Sequence, residues 1–191
     1  MPARRLILAS ASPRRLRILE SLGLDCEVRP AGVDEALLPG ESPRAAVRRL
    51  ARLKVSASAA RPGQWVLAAD TLVVLGSRIL GKPADPAEAR SMLRALSGRT
   101  HRVTTGVAVS GPQGVFVAVD ETAVRFRRIL SAEIARYVRT GEPMDKAGAY
   151  HVEGGGAAFI EGIAGSPSNV AGLSVTTARR LLRKAGFPSL R

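Results

Sequence analysis

The 191-residue sequence predicts an α/β protein whose mixed sheet is flanked by helices, and three observations carry that prediction. Short apolar runs of strand type alternate with segments of helical spacing. Ser12-Pro13, Ser42-Pro43 and Asp85-Pro86 each read as an N-cap followed by proline in the first helical position. Two long apolar stretches flank Gly111-Pro112-Gln113-Gly114, a hairpin signal that makes part of the sheet antiparallel.

Residues 4–9 read as a short buried strand. Leu16, Ile18, Leu19 and Leu22 then give the first helix its apolar face, with Gly23 as its C-cap. Residues 26–29 form a plausible second strand. The helix opened by Ser42 runs to about residue 60 and is stopped by Pro62-Gly63. Residues 65–69 form a strand, and 72–75 with 78–80 form a hairpin around Gly76-Ser77. Asp85-Pro86-Ala87-Glu88 resembles a capping box, and Ala89, Met92, Leu93 and Leu96 follow at helical spacing up to Gly98. Strands at 103–109 and 115–126, a helix at 131–139, a strand at 157–161 inside a glycine-rich stretch, and a last helix at 176–185 complete the chain.

Composition sets the class. With 46% hydrophobic and 24% charged residues and a mean hydropathy of +0.06, the chain is not disordered, and its length suits a single domain spanning 1–191. No apolar run approaches the roughly 18–20 residues of a bilayer span, and the apolar stretch after Arg4-Arg5 is too short for a signal peptide. The expectation is a cytoplasmic protein with no membrane contact. Cys26, the only cysteine, excludes an internal disulfide, and with two histidines the chain has no Cys/His zinc site. The net charge of +13 is supplied by 25 arginines and four lysines against 16 acidic residues. Such a surface attracts polyanions. Yet the arginines are scattered as singles and pairs, and seven aromatics are a poor stock for base stacking, so a nucleic-acid partner is disfavoured.

Four segments carry candidate chemistry. In the first, a strand runs through Ser10-Ala11-Ser12 into a helix N-terminus, which offers free N–H groups and a positive dipole end. Ser10 and Ser12 add hydroxyls there, and Arg14 and Arg15 add planar donors suited to phosphate. A plain Ser-Pro cap with solvated arginines is the simpler alternative. In the second, Lys54 falls on the apolar stripe Val47, Leu50, Ala51, so it either snorkels to the edge or reaches into a site. In the third, Asp70 interrupts a hydrophobic stretch, either as an Asp-Thr turn at a strand break or as a carboxylate paired with a cation, a metal or a cleft. Lys82 follows two strands away by hairpin logic. The fourth, residues 141–156, is a loop whose glycines allow close backbone approach to a ligand. His101 and His151 match no ligand or triad spacing and read as structural.

In order along the chain, Ser10-Ala11-Ser12-Pro13-Arg14-Arg15, Ala69-Asp70-Thr71, Gly81-Lys82-Pro83, Leu96-Ser97-Gly98-Arg99-Thr100-His101, Thr105-Gly106-Val107, the segment from Gly141 to Tyr150 and Asn169-Val170-Ala171-Gly172-Leu173 resemble the motifs of the Maf proteins, nucleoside triphosphate pyrophosphatases. The resemblance covers nearly the whole chain. It implies an elongated, twisted sheet in two lobes with a central cleft, like inosine triphosphate pyrophosphatases. It places Ser10, Arg14, Glu35, Lys54, Asp70 and Lys82 at working positions, with Ser12 and Arg15 beside them for phosphate. It also implies a divalent metal, Mg or Mn, held by Glu35 and Asp70, and a nucleoside triphosphate as substrate. A homodimer is left open.

The reaction so implied is hydrolysis between the α and β phosphates, giving the monophosphate and pyrophosphate. Asp70 would orient or deprotonate water, Glu35 would assist or ligate metal, and Arg14, Lys54 and Lys82 would stabilise phosphate charge. Arg14 and Thr71 resemble the subtype that acts on dTTP and UTP, whereas Glu153 stands where that subtype has glutamine and resembles the 7-methyl-GTP subtype. The alternative from another class is a basic nucleic-acid-binding or septum-formation regulatory protein.

Overall fold

In the computed structural model, which describes residues 5–188 apart from 59 and 62, six α-helices and seven strands follow one another. They are β1 (Leu6–Leu8), α1 (Pro13–Glu20), β2 (Cys26–Val28), α2 (Pro43–Ala57), β3 (Trp65–Leu75), β4 (Arg78–Leu80) and α3 (Pro86–Leu96), then β5 (Thr100–Gly111), β6 (Gly114–Phe126), α4 (Ser131–Arg139), β7 (Ile160–Ala164), α5 (Pro167–Val170) and α6 (Val175–Lys184). Strand order is β2-β1-β3-β5-β6-β7, with β4 paired to β3. β1 lies parallel to both β2 and β3, whereas β3–β4 and β6–β7 are antiparallel, so the sheet is mixed as expected. No helix among the described residues is long and apolar enough to cross a membrane.

Several boundaries differ from expectation. Arg4 and Pro62, parts of the expected first strand and second helix stop, lie outside the described residues. Helix α1 ends at Glu20 and is capped by Ser21; Gly23 lies beyond, at φ +73°, where its N–H bonds the Glu20 carbonyl. The serine caps also differ. Ser42 accepts from the Ala45 N–H and Asp85 from the Glu88 N–H, but the Ser12 side chain makes no capping bond. The expected strand at 157–161 begins later, because Gly155–Phe159 form a 3₁₀ turn ahead of β7. The largest correction is at Asp70. No turn breaks the strand there, and β3 runs unbroken from Trp65 to Leu75 because a buried cation compensates the carboxylate.

The chain divides into two compact units, and β3, β5 and β6 each give residues to both. The first comprises the described residues of Met1–Asp70, Thr105–Asp120 and Gly172–Arg191. Its two apolar clusters fall on opposite faces of the strands, as a period of two dictates. Leu6, Leu8, Trp65, Leu67 and Ala69 pack with Leu19 of α1 and with Ala178, Leu181 and Leu182 of α6. Ile7, Val66, Ala68 and Ala108 pack with Ala51 and Val55 of α2. Each fully buried leucine or isoleucine contributes about 1.5–3 kcal/mol of transfer free energy. Approach on the α2 face is so close that a Cβ on Gly106 would stand 2.1 Å from the Val47 carbonyl oxygen, so position 106 admits glycine alone. Two part-buried bonds to the Asp120 carboxylate, from Ser174 at 2.5 Å and Thr177 at 3.2 Å, anchor the start of α6.

The second unit, Thr71–Thr104 with Glu121–Ala171, packs α3 and α4 around Phe126, Tyr137, Tyr150 and Phe159. His101 is inside this cluster, edge-on to Phe126 and Tyr150, with Nε2 2.9 Å from the Tyr150 hydroxyl. Its Nδ1 has no hydrogen-bond partner among the described residues. Burial pushes the imidazole pKa down to about 4. The native state therefore holds His101 neutral, and the unfolded chain, with an ordinary histidine, binds the extra proton between about pH 4 and 6.5. The neutral imidazole's contribution is complete above that window and is lost as pH falls through it, by about 3 kcal/mol in all. Denaturant titrations between pH 4 and 7 should show a His101→Phe variant with a stability slope shallower by about one proton than wild type. Equal slopes would mean that His101 is not the group responsible.

Candidate active site

Strand alternation explains why Asp70 is buried. Val66 and Ala68 face α2, and Asp70 continues that face one step beyond the last apolar residue. On α2, Lys54 follows Val47 and Leu50 on the inward stripe and is 5% exposed, so it does not snorkel outward. Its ammonium lies 2.6 Å from Asp70 Oδ1 and 2.8 Å from Glu35 Oε1. Glu35 arrives from the loop before α2, with its side chain 60% exposed. Part of that loop is tied to α2 by Arg49, which donates to both Glu41 carboxylate oxygens and to the Ala36 carbonyl. A lone buried aspartate would be costly; paired with Lys54 it is held as an oriented carboxylate.

The serine-rich turn after β1 completes this arrangement within the first unit. Ser10 is buried, and its Oγ accepts from the Ser12 N–H at 3.3 Å and from Arg15 Nη1 at 3.0 Å. With both lone pairs engaged, the hydroxyl proton is what Ser10 has left to offer an anion. Arg15 also donates through Nε to the Gly172 carbonyl at 2.9 Å, so it braces the turn against the segment leading into α6. Burial lowers the Arg15 pKa, the charges of Asp70 and Glu35 oppose that shift, and Arg14 adds to it. Arg14 is half-buried in the first turn of α1, which carries no acidic residue to offset the two arginines. An anion at that turn would offset the charge that the two arginines add to the positive end of the helix dipole.

The other expected site residues belong to the second unit. Thr71 is half-buried and, next to Asp70 on β3, points to the opposite face. Lys82 is exposed just beyond β4. The preceding carbonyl of Gly81 accepts from the Gly148 N–H at 3.0 Å, in the loop that carries the Asp145–Lys146 ion pair. Glu153 is exposed, with Oε2 3.7 Å from His151 Nε2.

A divalent cation suits the donors present. Glu35 and Asp70 each direct one carboxylate oxygen at the Lys54 ammonium, which fills the point where they converge; the second oxygen of each is a hard donor of the kind Mg²⁺ and Mn²⁺ take. No cluster of three or more His, Cys, Asp or Glu that could hold a metal occurs among the described residues. Two carboxylates do not close a coordination shell, and Mg²⁺ commonly completes its shell with water and substrate phosphates.

Residues 5–185 match the profile of the Maf-like protein family. The chain belongs to the Maf family. Among curated relatives of this Maf protein, a dTTP/UTP pyrophosphatase from Anaeromyxobacter dehalogenans is 55% identical over 190 residues, covering 97% of this chain and 96% of its own. One from Myxococcus xanthus is 50% identical, covering 96% and 93%. Among solved structures, the Staphylococcus aureus Ham1 protein is 17% identical with a TM-score of 0.44, over 76% of this chain and 85% of its own.

Sequence reasoning missed Tyr137 and Glu142, the side chains that fix the 141–156 loop. The one available signal was the run Gly154-Gly155-Gly156, whose close approach is to these two side chains.

Proposed function

We propose that this Maf protein hydrolyses dTTP and UTP to the nucleoside monophosphate and pyrophosphate, a cytoplasmic house-cleaning reaction. The observation that carries the reading is the Asp70–Lys54–Glu35 group beside the Ser10–Arg15 turn. The relatives' shared name, dTTP/UTP pyrophosphatase, supports the substrate class.

In this reading the α1 N-terminus, Ser10 and Arg14 receive phosphate oxygens, and Lys82 adds charge stabilisation. Asp70 is the base. Lys54 holds Oδ1, which leaves Oδ2 to orient water and take its proton. Glu35 and Asp70 would hold a divalent cation, which when bound supplies charge neutralisation to the phosphates. Pyrophosphate release across a panel of nucleoside triphosphates tests the whole reading, and absence of release from every one of them would sink it.

The site can be separated from general basicity. Lys82→Ala should cut turnover well below that of Arg180→Ala, whose side chain is exposed on α6. Were the +13 charge mainly there to bind nucleic acid, both changes would weaken polyanion binding alike, with a steep salt slope. Comparable loss of hydrolysis in the two variants would count against the assignment of Lys82.

By the family resemblance, residues 14, 71 and 153 are the positions that separate the two subtypes. At neutral pH the Glu153 carboxylate only accepts hydrogen bonds, whereas glutamine also donates, so glutamate forgoes a donor contact to a pyrimidine carbonyl. We expect dTTP and UTP to be preferred over 7-methyl-GTP, and Glu153→Gln to sharpen that preference. The measurement is kcat/KM for the three nucleotides in both proteins. A wild-type preference for 7-methyl-GTP of tenfold or more, about 1.4 kcal/mol, would reverse the subtype.

A further inference from the structure

The turn that carries Glu153 is held by two side chains from outside it. Tyr137, in the last turn of α4, accepts from the His151 N–H at 3.0 Å and donates to Glu142 Oε1 at 2.7 Å. Glu142, two residues after Thr140 ends that helix, accepts from the Gly155 N–H through Oε2 at 3.2 Å and from the Gly156 N–H through Oε1 at 3.3 Å. One phenol and one carboxylate thus grip the backbone at position 151 and at positions 155 and 156, on either side of residue 153.

The glycine run is shaped to this grip. A Cβ at Gly154 would stand 2.6 Å from Glu142 Oε2, and one at Gly155 would stand 3.2 Å from Tyr137 Cε2. At Gly156 it would meet the His151 N at 2.8 Å and the Tyr137 hydroxyl at 2.9 Å. Burial raises the Glu142 pKa, but the bonds from Tyr137, Gly155 and Gly156 together bring it below the ordinary value, so the group works as a carboxylate. Tyr137 is buried and stacks edge-on against Phe159, with ring centroids 5.1 Å apart, so the clamp has a rigid base.

We infer that Tyr137 and Glu142 are positioning residues for base selection: they fix the backbone on both sides of Glu153 and so determine where its carboxylate stands. The inference rests on the reading of residue 153 given under the proposed function. Neither side chain is assigned to the chemistry of the phosphates. Loosening the clamp should therefore alter discrimination between nucleotides more than turnover of the best one.

The test measures kcat/KM for dTTP, UTP and 7-methyl-GTP in wild type, Tyr137→Phe, Glu142→Gln, Glu153→Gln and the double variant Tyr137→Phe/Glu153→Gln. Tyr137→Phe removes two hydrogen bonds and keeps the ring packing. Glu142→Gln keeps the shape but turns an N–H₂ toward one of the two glycine N–H groups. In either variant the ratio of dTTP to 7-methyl-GTP should shift by about threefold to tenfold, the size of one net hydrogen bond. The kcat for dTTP should change by less than about threefold, and the effects of Tyr137→Phe and Glu153→Gln on the ratio should be non-additive. An equal loss for all three nucleotides in both clamp variants would mark a purely structural role and overturn the inference. So would additive effects, or an unchanged ratio in both variants while Glu153→Gln alters it. If Glu153→Gln leaves the ratio unchanged, the reading of residue 153 fails, and the inference fails with it. Should Tyr137→Phe not fold, Glu142→Gln against Glu153→Gln decides; should Glu142→Gln not fold, Tyr137→Phe and the double variant decide.

Discussion

Asp70→Asn should lose roughly 10²–10⁴-fold in kcat, the usual contribution of a positioned general base, while the protein stays folded. Asparagine keeps the shape of the side chain and removes the charge that Oδ2 needs to accept a proton. The fold should survive because Lys54 retains Glu35 at 2.8 Å, so its ammonium is not left alone. Circular dichroism and the thermal midpoint verify the second half of this expectation; pyrophosphate release at saturating divalent cation verifies the first. Activity within about threefold of wild type would leave Asp70 with no catalytic role beyond pairing Lys54.

Lys54→Met should strongly destabilise the first unit. Methionine fills the same channel, but the Asp70 side chain, 9% exposed, loses its counter-charge. Removing one partner of a buried pair costs about 3–5 kcal/mol, whereas replacing both by apolar or neutral groups of like volume is often close to neutral. For a chain of this size that corresponds to a fall of about 6–20 °C in the thermal midpoint. Glu35, largely exposed, turns to water at little cost. The informative comparison is the double variant Lys54→Met/Asp70→Asn, which should recover much of the stability and none of the activity. If Lys54→Met unfolds at the wild-type temperature, the ion pair is energetically neutral, and the continuity of β3 through Asp70 needs another explanation.

Both predictions turn on a contact that one-dimensional reading left open. Periodicity placed Lys54 on the buried stripe of α2, and composition marked Asp70 as foreign to its apolar strand. Each had two readings at that stage, snorkel or site for the lysine, turn or functional carboxylate for the aspartate. Nothing local distinguishes them, because the deciding energy is a pair interaction between residues 16 positions apart. The same holds for Glu35. Only its match to the family motif distinguished it, and its approach to Lys54 depends on how the loop before α2 is tied down by Arg49.

What the sequence determined by itself was whatever short-range physics controls. The helix starts at Pro13, Pro43 and Pro86, the hairpin at 76–77, the class of the sheet and the membership of Ser10, Arg14, Lys54, Asp70 and Lys82 in a motif set were all legible, since caps, turns and periodicities act over a few residues. Tertiary structure alone decided that β3 passes unbroken through Asp70, that Arg15 braces Ser10 against Gly172, and that the glycines of 154–156 receive Glu142 and Tyr137. These are long-range pairings of polar groups with a buried or closely packed partner. Their sign changes from costly to favourable only when the partner is in place, and which partner arrives is fixed by packing.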